Sequence, residues 1–289
     1  MSESVAELVL DSRAEIGEGP SWDGRKNVLY WVDIQKGEVH VYDPRRRVDR
    51  AIVVGHFVSS VVPREDGDDL MVTMQHGFFR LDPSTGRTTK VCGVELRKPG
   101  NRFNDGKCDP MGRFWAGTMA TNAKDPAGAL YRLDGSRAVK AVPSVTISNG
   151  LGWSPDGSVM YYIDSPTRKV SAFDYDLETG AISRRRTVVD FGGEAGDPDG
   201  MAVDEEGMLW VAHWGGGKVS RWDAKTGRRV GQLTIPVPNV TSCCFGGRKL
   251  DELYVTSAAI STPRRQPPAG GMFRARCGVR GLPTKAFRP

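Results

Sequence analysis

With 289 residues, 39% of them hydrophobic, the chain has enough apolar material for a large core, yet it contains no apolar window of about 18 residues that would suggest a membrane helix. Its net charge of +5 sits in short basic runs beside turn signals, Arg45–Arg47, Arg184–Arg186 and Arg228–Arg229, without interleaved aromatics, so solvated strand edges explain it better than nucleic acid. Five cysteines, odd in number and none in a CxxC pair, suggest neither a disulfide framework nor a zinc knuckle. The acidic N-terminus lacks an apolar leader. The expectation is a cytoplasmic protein, a monomer or weak oligomer, with no nucleic-acid or membrane partner.

Taken in order, the chain repeats one unit. The runs Leu29–Asp33, Leu70–Met74, Phe114–Thr118, Met160–Asp164, Leu209–His213 and Leu253–Ser257 begin 41 to 49 residues apart. Each follows a turn rich in Asp and Gly and leads into a second alternating run, such as Glu38–Tyr42 or Lys218–Trp222. Three units close on the same chemistry: Asp82 to Gly86, Asp176 to Gly180 and Asp223 to Gly227. There Asp can accept local N–H groups and Gly supplies a positive φ.

Six antiparallel meanders with no amphipathic helix between them predict an all-β fold, a six-bladed β-propeller with four-stranded antiparallel blades and a central metal site. It occupies one domain, residues 1–289. The early run Glu7–Leu10 is expected to supply the outermost strand of the last blade and close the ring. Ser261 to Gly271, rich in Pro and Gly, reads as a long surface loop within the sixth unit.

Aligned on their starts, the units place Glu18, Ser60, Asn104, Asn149, Asp199 and Thr241 in one register, 42 to 50 residues apart. The first strand of each blade lines the central channel, so these side chains should share an axial spot. Glu18, Asn104, Asn149 and Asp199 offer oxygen ligands without His or Cys, which suits a hard divalent cation. Two carboxylates meeting on the axis would repel unless neutralised. The four histidines, His40, His56, His76 and His213, have no metal-type spacing and read as strand residues, with His213 at most a neighbour of the pocket. Asp105 and Lys107 read as turn or ion-pair residues, the tryptophans as packing between blades, and Cys243-Cys244 as core.

The stretches Gly17-Glu-Gly-Pro20, Asn101-Arg-Phe-Asn-Asp-Gly-Lys107, Ala116-Gly-Thr-Met119, Ile147-Ser-Asn-Gly-Leu151, Pro198-Asp-Gly-Met201 and Thr241-Ser-Cys-Cys-Phe-Gly-Gly247 resemble the SMP-30/gluconolactonase/luciferin-regenerating-enzyme family, near its regucalcin branch. The resemblance runs from the first unit to the last. It implies a divalent-metal-dependent lactonase acting on sugar lactones, with metal ligands Glu18, Asn149 and Asp199 and substrate contacts Arg102 and Asn104. Calcium is the first choice of ion, with zinc, manganese and magnesium as alternatives. At one point the chain departs: where the branch has an acidic pair after its AGTM motif, this sequence reads Thr121-Asn122, so Asn122 keeps hydrogen bonding to the sugar and loses the charge.

The mechanism expected from these residues is ester hydrolysis with Asp199 as catalytic base and Arg102 orienting the substrate. Two rivals stand beside it: a calcium-binding propeller without turnover, and an esterase or phosphotriesterase with another substrate.

Overall fold

The computed structural model describes residues 4–55, 57–262 and 268–289. Its sheets are six antiparallel meanders whose innermost strands are Gly17–Asp23, Ser60–Pro63, Asn101–Cys108, Ser148–Trp153, Asp197–Val203 and Val240–Gly246. These six strands touch one another in sequence and the last returns to the first, so the sheets form the blades of a closed propeller. Among the described residues the one helical element is a 3-10 turn, Ser165–Thr167, and no helix is long and apolar enough to cross a membrane.

Turn chemistry sets the hairpins. Asp82, Asp176 and Asp223 each accept a backbone N–H from their own turn, at 2.8 Å from Ser84, Thr179 and Lys225. Gly86, Gly180 and Gly227 close those turns with φ of 74°, 66° and 69°, a conformation that an L side chain resists.

Aromatic side chains on the second strand of one blade pack on the inner strand of the next. Trp115 meets Trp153 at 6.3 Å, Trp210 meets Phe245 at 5.8 Å, and Tyr254 stacks on Trp22 at 5.8 Å, which closes blade six on blade one. The tryptophans therefore join blades, as their place in the strand runs suggests. Truncating a fully buried one such as Trp115 to Ala would cost about 3–5 kcal/mol.

Glu7–Leu10 pairs antiparallel with Met272–Arg276, Leu8 opposite Phe273, and supplies the fourth strand of blade six. The ring is closed by both ends of the chain, as expected. Blade five differs from the expected four strands, because Ser4–Val5 adds a fifth strand, parallel to Arg228–Thr234. Beyond blade six the chain crosses one face of the ring. Gly281 and Leu282 donate to the carbonyls of Leu250 and Val203, and Phe287 exchanges bonds of 2.7 and 2.8 Å with Pro63 and Glu65. Phe287 is buried in the core of blades two and three.

Arg184 and Arg186 lie on an exposed outer strand and pair with Asp174, in keeping with a solvated edge. His40 and His213 are strand residues. His76 instead occupies the turn between Leu70–Met74 and Gly77–Leu81, where the short hairpin connection needs polar residues. His56 and residues 263–267 of the Pro-rich segment lie outside the described residues.

Candidate functional site

Five of the six inner strands slip register at the channel residue itself. The breaks fall between Glu18 and Ser21, Phe103 and Gly106, Asn149 and Leu151, Pro198 and Met201, and Val240 and Ser242. The short Ser60–Pro63 strand runs in unbroken register. A bulge inserts a residue and bends its strand, which re-aims the side chain there. Glycine follows at Gly19, Gly106, Gly150 and Gly200, and a Cβ at Gly150 would lie 2.8 Å from the Asp199 carbonyl. One at Gly106 would lie 2.7 Å from Ser60 Oγ. The glycines let neighbouring inner strands close on the axis, so Glu18, Ser60, Asn104, Asn149, Asp199 and Thr241 are all buried there.

The approach to three of the inner strands is braced. Asp33 accepts the N–H groups of Glu15 and Ile16 just before Glu18, and Asp164 accepts those of Thr146 and Ile147 just before Asn149. His213 takes the equivalent place in blade five, bonded to the Ala195 carbonyl at 2.9 Å and to Ser220 Oγ at 2.6 Å. Its burial pushes its pKa down to about 4. It holds a backbone and contributes no ligand.

A chain of hydrogen bonds fixes the polar side chains. Arg102 Nη1 donates to Asn104 Oδ1 at 2.7 Å, and Asn104 Nδ2 donates to Asn149 Oδ1 at 2.8 Å. Asn149 Nδ2 then donates to Ser165 Oγ, which donates to the Pro198 carbonyl next to Asp199. Asn104 thus spends its oxygen on Arg102 and its amide on Asn149, an arrangement that suits a positioning or substrate contact better than a ligand. Ser60 and Thr241 are satisfied by Thr73, Gly17 and Thr256.

Electrostatics single out three carboxyls. Burial, then the field of Asp105, pushes Glu18 up to about 8. Burial, then Glu18 and Asp105, raises Asp199 well above the carboxylate range, and burial raises Asp105. Burial also lowers Arg102 to about 10 despite the nearby carboxyls of Glu18 and Asp199. Among the described residues none of the three carboxyls forms an ion pair. The Asp105 Oδ2 atom is buried with no hydrogen-bond partner.

Asp105 is the residue that reading the sequence as a turn or ion-pair position does not reveal. Simple alternation places it opposite Asn104, but the bulge between Phe103 and Gly106 brings it into the electrostatic cluster. The acidic residue followed by glycine, found at Glu18-Gly19, Asp105-Gly106 and Asp199-Gly200, is the signal that could have identified it.

Among the described residues no three His, Cys, Asp or Glu side chains form a metal cluster on their own. The donor set is mixed, carboxylates of Glu18 and Asp199 with the amide oxygen of Asn149. Buried carboxyls without cationic partners and an orphaned carboxylate oxygen fit a hard divalent cation. Asn122 lies apart, on an exposed loop beyond Phe114–Ala120. Its Nδ2 donates to Asp125 Oδ2 at 2.7 Å and its Oδ1 accepts from Lys124 N at 3.0 Å. The structure does not join it to the channel network, though Asp125 sets a carboxylate beside it.

A family model described as the SMP-30/gluconolactonase/LRE-like region matches residues 16–259. The chain is 43% identical to regucalcin of Gallus gallus, over 99% of each chain. It is 40% identical to the provisionally named sugar lactone lactonase YvrE of Bacillus subtilis, over 98% of this chain and 97% of that one. A crystal structure described as a calcium-binding protein, regucalcin, from Agrobacterium tumefaciens superposes with a TM-score of 0.94 at 26% identity, covering 100% of both chains.

Proposed function

The chain belongs to the SMP-30/gluconolactonase/LRE-like family, and on that footing we propose that it hydrolyses a sugar lactone at a divalent cation on the propeller axis. The observation that supports this best is the pair Glu18 and Asp199, buried together with raised pKa values and no cationic partner. Glu18, Asn149 and Asp199 would hold the ion, with calcium first because the donors are all oxygen and because the Agrobacterium relative is described as calcium-binding. Such an ion supplies a Lewis acid for the lactone carbonyl and acidifies water.

The chain's own residues do the rest. Asp199 accepts a proton from the attacking water as its oxygen bonds to the lactone carbonyl carbon, and returns it to the ring oxygen as the ring C–O bond breaks. Arg102, fixed through Asn104, directs its guanidinium donors at the substrate oxygens and steadies developing negative charge. Asn122, with Asp125 beside it, offers the sugar hydroxyls a polar lip.

The test is hydrolysis of glucono-δ-lactone by metal-stripped protein after adding back Ca²⁺, Mg²⁺, Mn²⁺ or Zn²⁺. Activity should return with one or more ions in the wild type and stay absent in Asp199→Ala. Calcium binding without turnover on any lactone or ester would instead favour a binding propeller, the reading to which the regucalcin relatives' name leans.

A further inference from the structure

The inner strands lead from the carboxylate site to a second mouth of the channel. Trp153 and Val203 stand four residues beyond Asn149 and Asp199, about 13 Å along a strand. There the C-terminal tail spans the opening, anchored at Leu282 on one side and Phe287 on the other. Between tail and strand ends lies a cavity of about 320 Å³. That volume falls within the small-molecule range of roughly 300–1,000 Å³.

Its walls are largely apolar, with Val62, Trp153, Val203, Phe245 and Leu282 among them. At its rim Met111 and Leu177 expose 45% and 36% of their surface, large apolar groups left to water at a mouth. Lys107 lines the same cavity. Its Nζ donates to the Met201 carbonyl at 2.6 Å, which uses one of three N–H groups, and among the described residues it has no ion-pair partner. A second lysine, Lys285 of the tail, also lines the cavity; it is exposed and among the described residues forms no ion pair. Asp156, the carboxylate in the lining, is exposed and already accepts from Ser154 and Ser158.

A largely apolar cavity lined by two lysines, Lys107 and Lys285, that form no ion pair among the described residues is complementary to a molecule with an anionic end and a hydrocarbon body. We infer that the tail-covered mouth is a second binding site, for a small amphipathic monocarboxylate whose charge pairs with Lys107 and Lys285 and whose chain lies against the apolar walls. The site is tested by binding alone, apart from the lactonase reading, although the field of Lys107 reaches Asp105 and Glu18.

The probe is octanoate, titrated calorimetrically into the full chain, with 1-octanol as its neutral counterpart. One octanoate should bind per chain, with octanol weaker by about tenfold or more, the scale of one charge-assisted contact. Lys107→Met combined with Lys285→Met should bring octanoate to the level of octanol, and Leu282→Trp, filling the cavity from the tail side, should abolish both. Thermal melts check that each variant folds, and if the double-lysine variant does not, Leu282→Trp decides. Absence of saturable octanoate binding to the wild type, or binding that both folded variants leave unchanged, overturns the proposal.

Discussion

Asn104 donates to the Oδ1 of Asn149 at 2.8 Å while its own Oδ1 accepts from Arg102 at 2.7 Å. One amide therefore orients both a proposed ligand and the proposed substrate-directing cation. Asn104→Ala should weaken calcium binding about tenfold and lower kcat/KM about a hundredfold, the range seen when supporting contacts to a metal site are removed. Calcium titration and lactone kinetics on the same preparation check it. Unchanged calcium affinity would mean that Asn149 is held without Asn104.

Glu18 and Asp199 repel in a dry channel, so neutralising one should help the metal-free fold while harming cation binding. In EDTA, Glu18→Gln and Asp199→Asn are expected to melt higher than the wild type by about 2 °C or more. In excess calcium the order should reverse, because the wild type alone gains binding energy. Variants that melt lower than the wild type in EDTA would show that the carboxylates do not strain the fold.

The same repulsion gives a pH signature. Burial and Asp105 raise Glu18 from 4.5 to about 8, and a carboxyl raised in the folded state contributes stability that is complete below 4.5 and lost as pH rises through about 8. Metal-free protein should therefore lose stability across that window. His213, lowered from 6.5 to about 4, acts oppositely, its contribution being complete above 6.5 and lost as pH falls toward 4. It does so with or without a cation, so the difference between urea midpoints in EDTA and in calcium isolates the carboxyls. That difference should widen from pH 5 to about 8.

Gly150 sits where the inner strands of blades four and five approach closely. A Cβ there would lie 2.7 Å from Ile163 Cδ1 and 2.8 Å from the Asp199 carbonyl. Gly150→Ala should destabilise by about 1–3 kcal/mol and loosen calcium binding, because the strand carrying Asp199 must move. Urea denaturation in EDTA reads the first effect, calcium titration the second. Wild-type values for both would show that the strands have slack.

Asn122→Glu restores the charge that the family resemblance associates with this loop. The expected result is a KM for glucono-δ-lactone changed about three- to tenfold with kcat nearly constant, the pattern of a contact made equally in ground and transition states. A change confined to kcat would place residue 122 in the chemical step.

Much of this was legible in the sequence because a propeller repeats. The spacing of Leu29, Leu70, Phe114, Met160, Leu209 and Leu253 defines the blades, and the same register brings Glu18, Asn149 and Asp199 to one channel. What escaped depends on features that spacing does not carry. Asp105 joins the other carboxyls through a bulge, a local break in the alternation on which sequence reading relies. Asn122 turns to Asp125 because a short polar loop satisfies its own backbone first. The tail crossing rests on contacts such as Phe287 with Pro63, more than two hundred residues apart, and no periodicity announces them. Ser4–Val5 is too short to read as a strand, and its partner lies equally far along the chain.

The shared sixth blade also bears on synthesis. Glu7–Leu10 leaves the ribosome before any blade is complete, but its partner Met272–Arg276 emerges only after the strands of five blades and most of the sixth. Until then the early strand has no place to dock, and each molecule must keep that sticky edge from neighbouring nascent chains. The late pairing of these two strands converts an open arc into a locked circle.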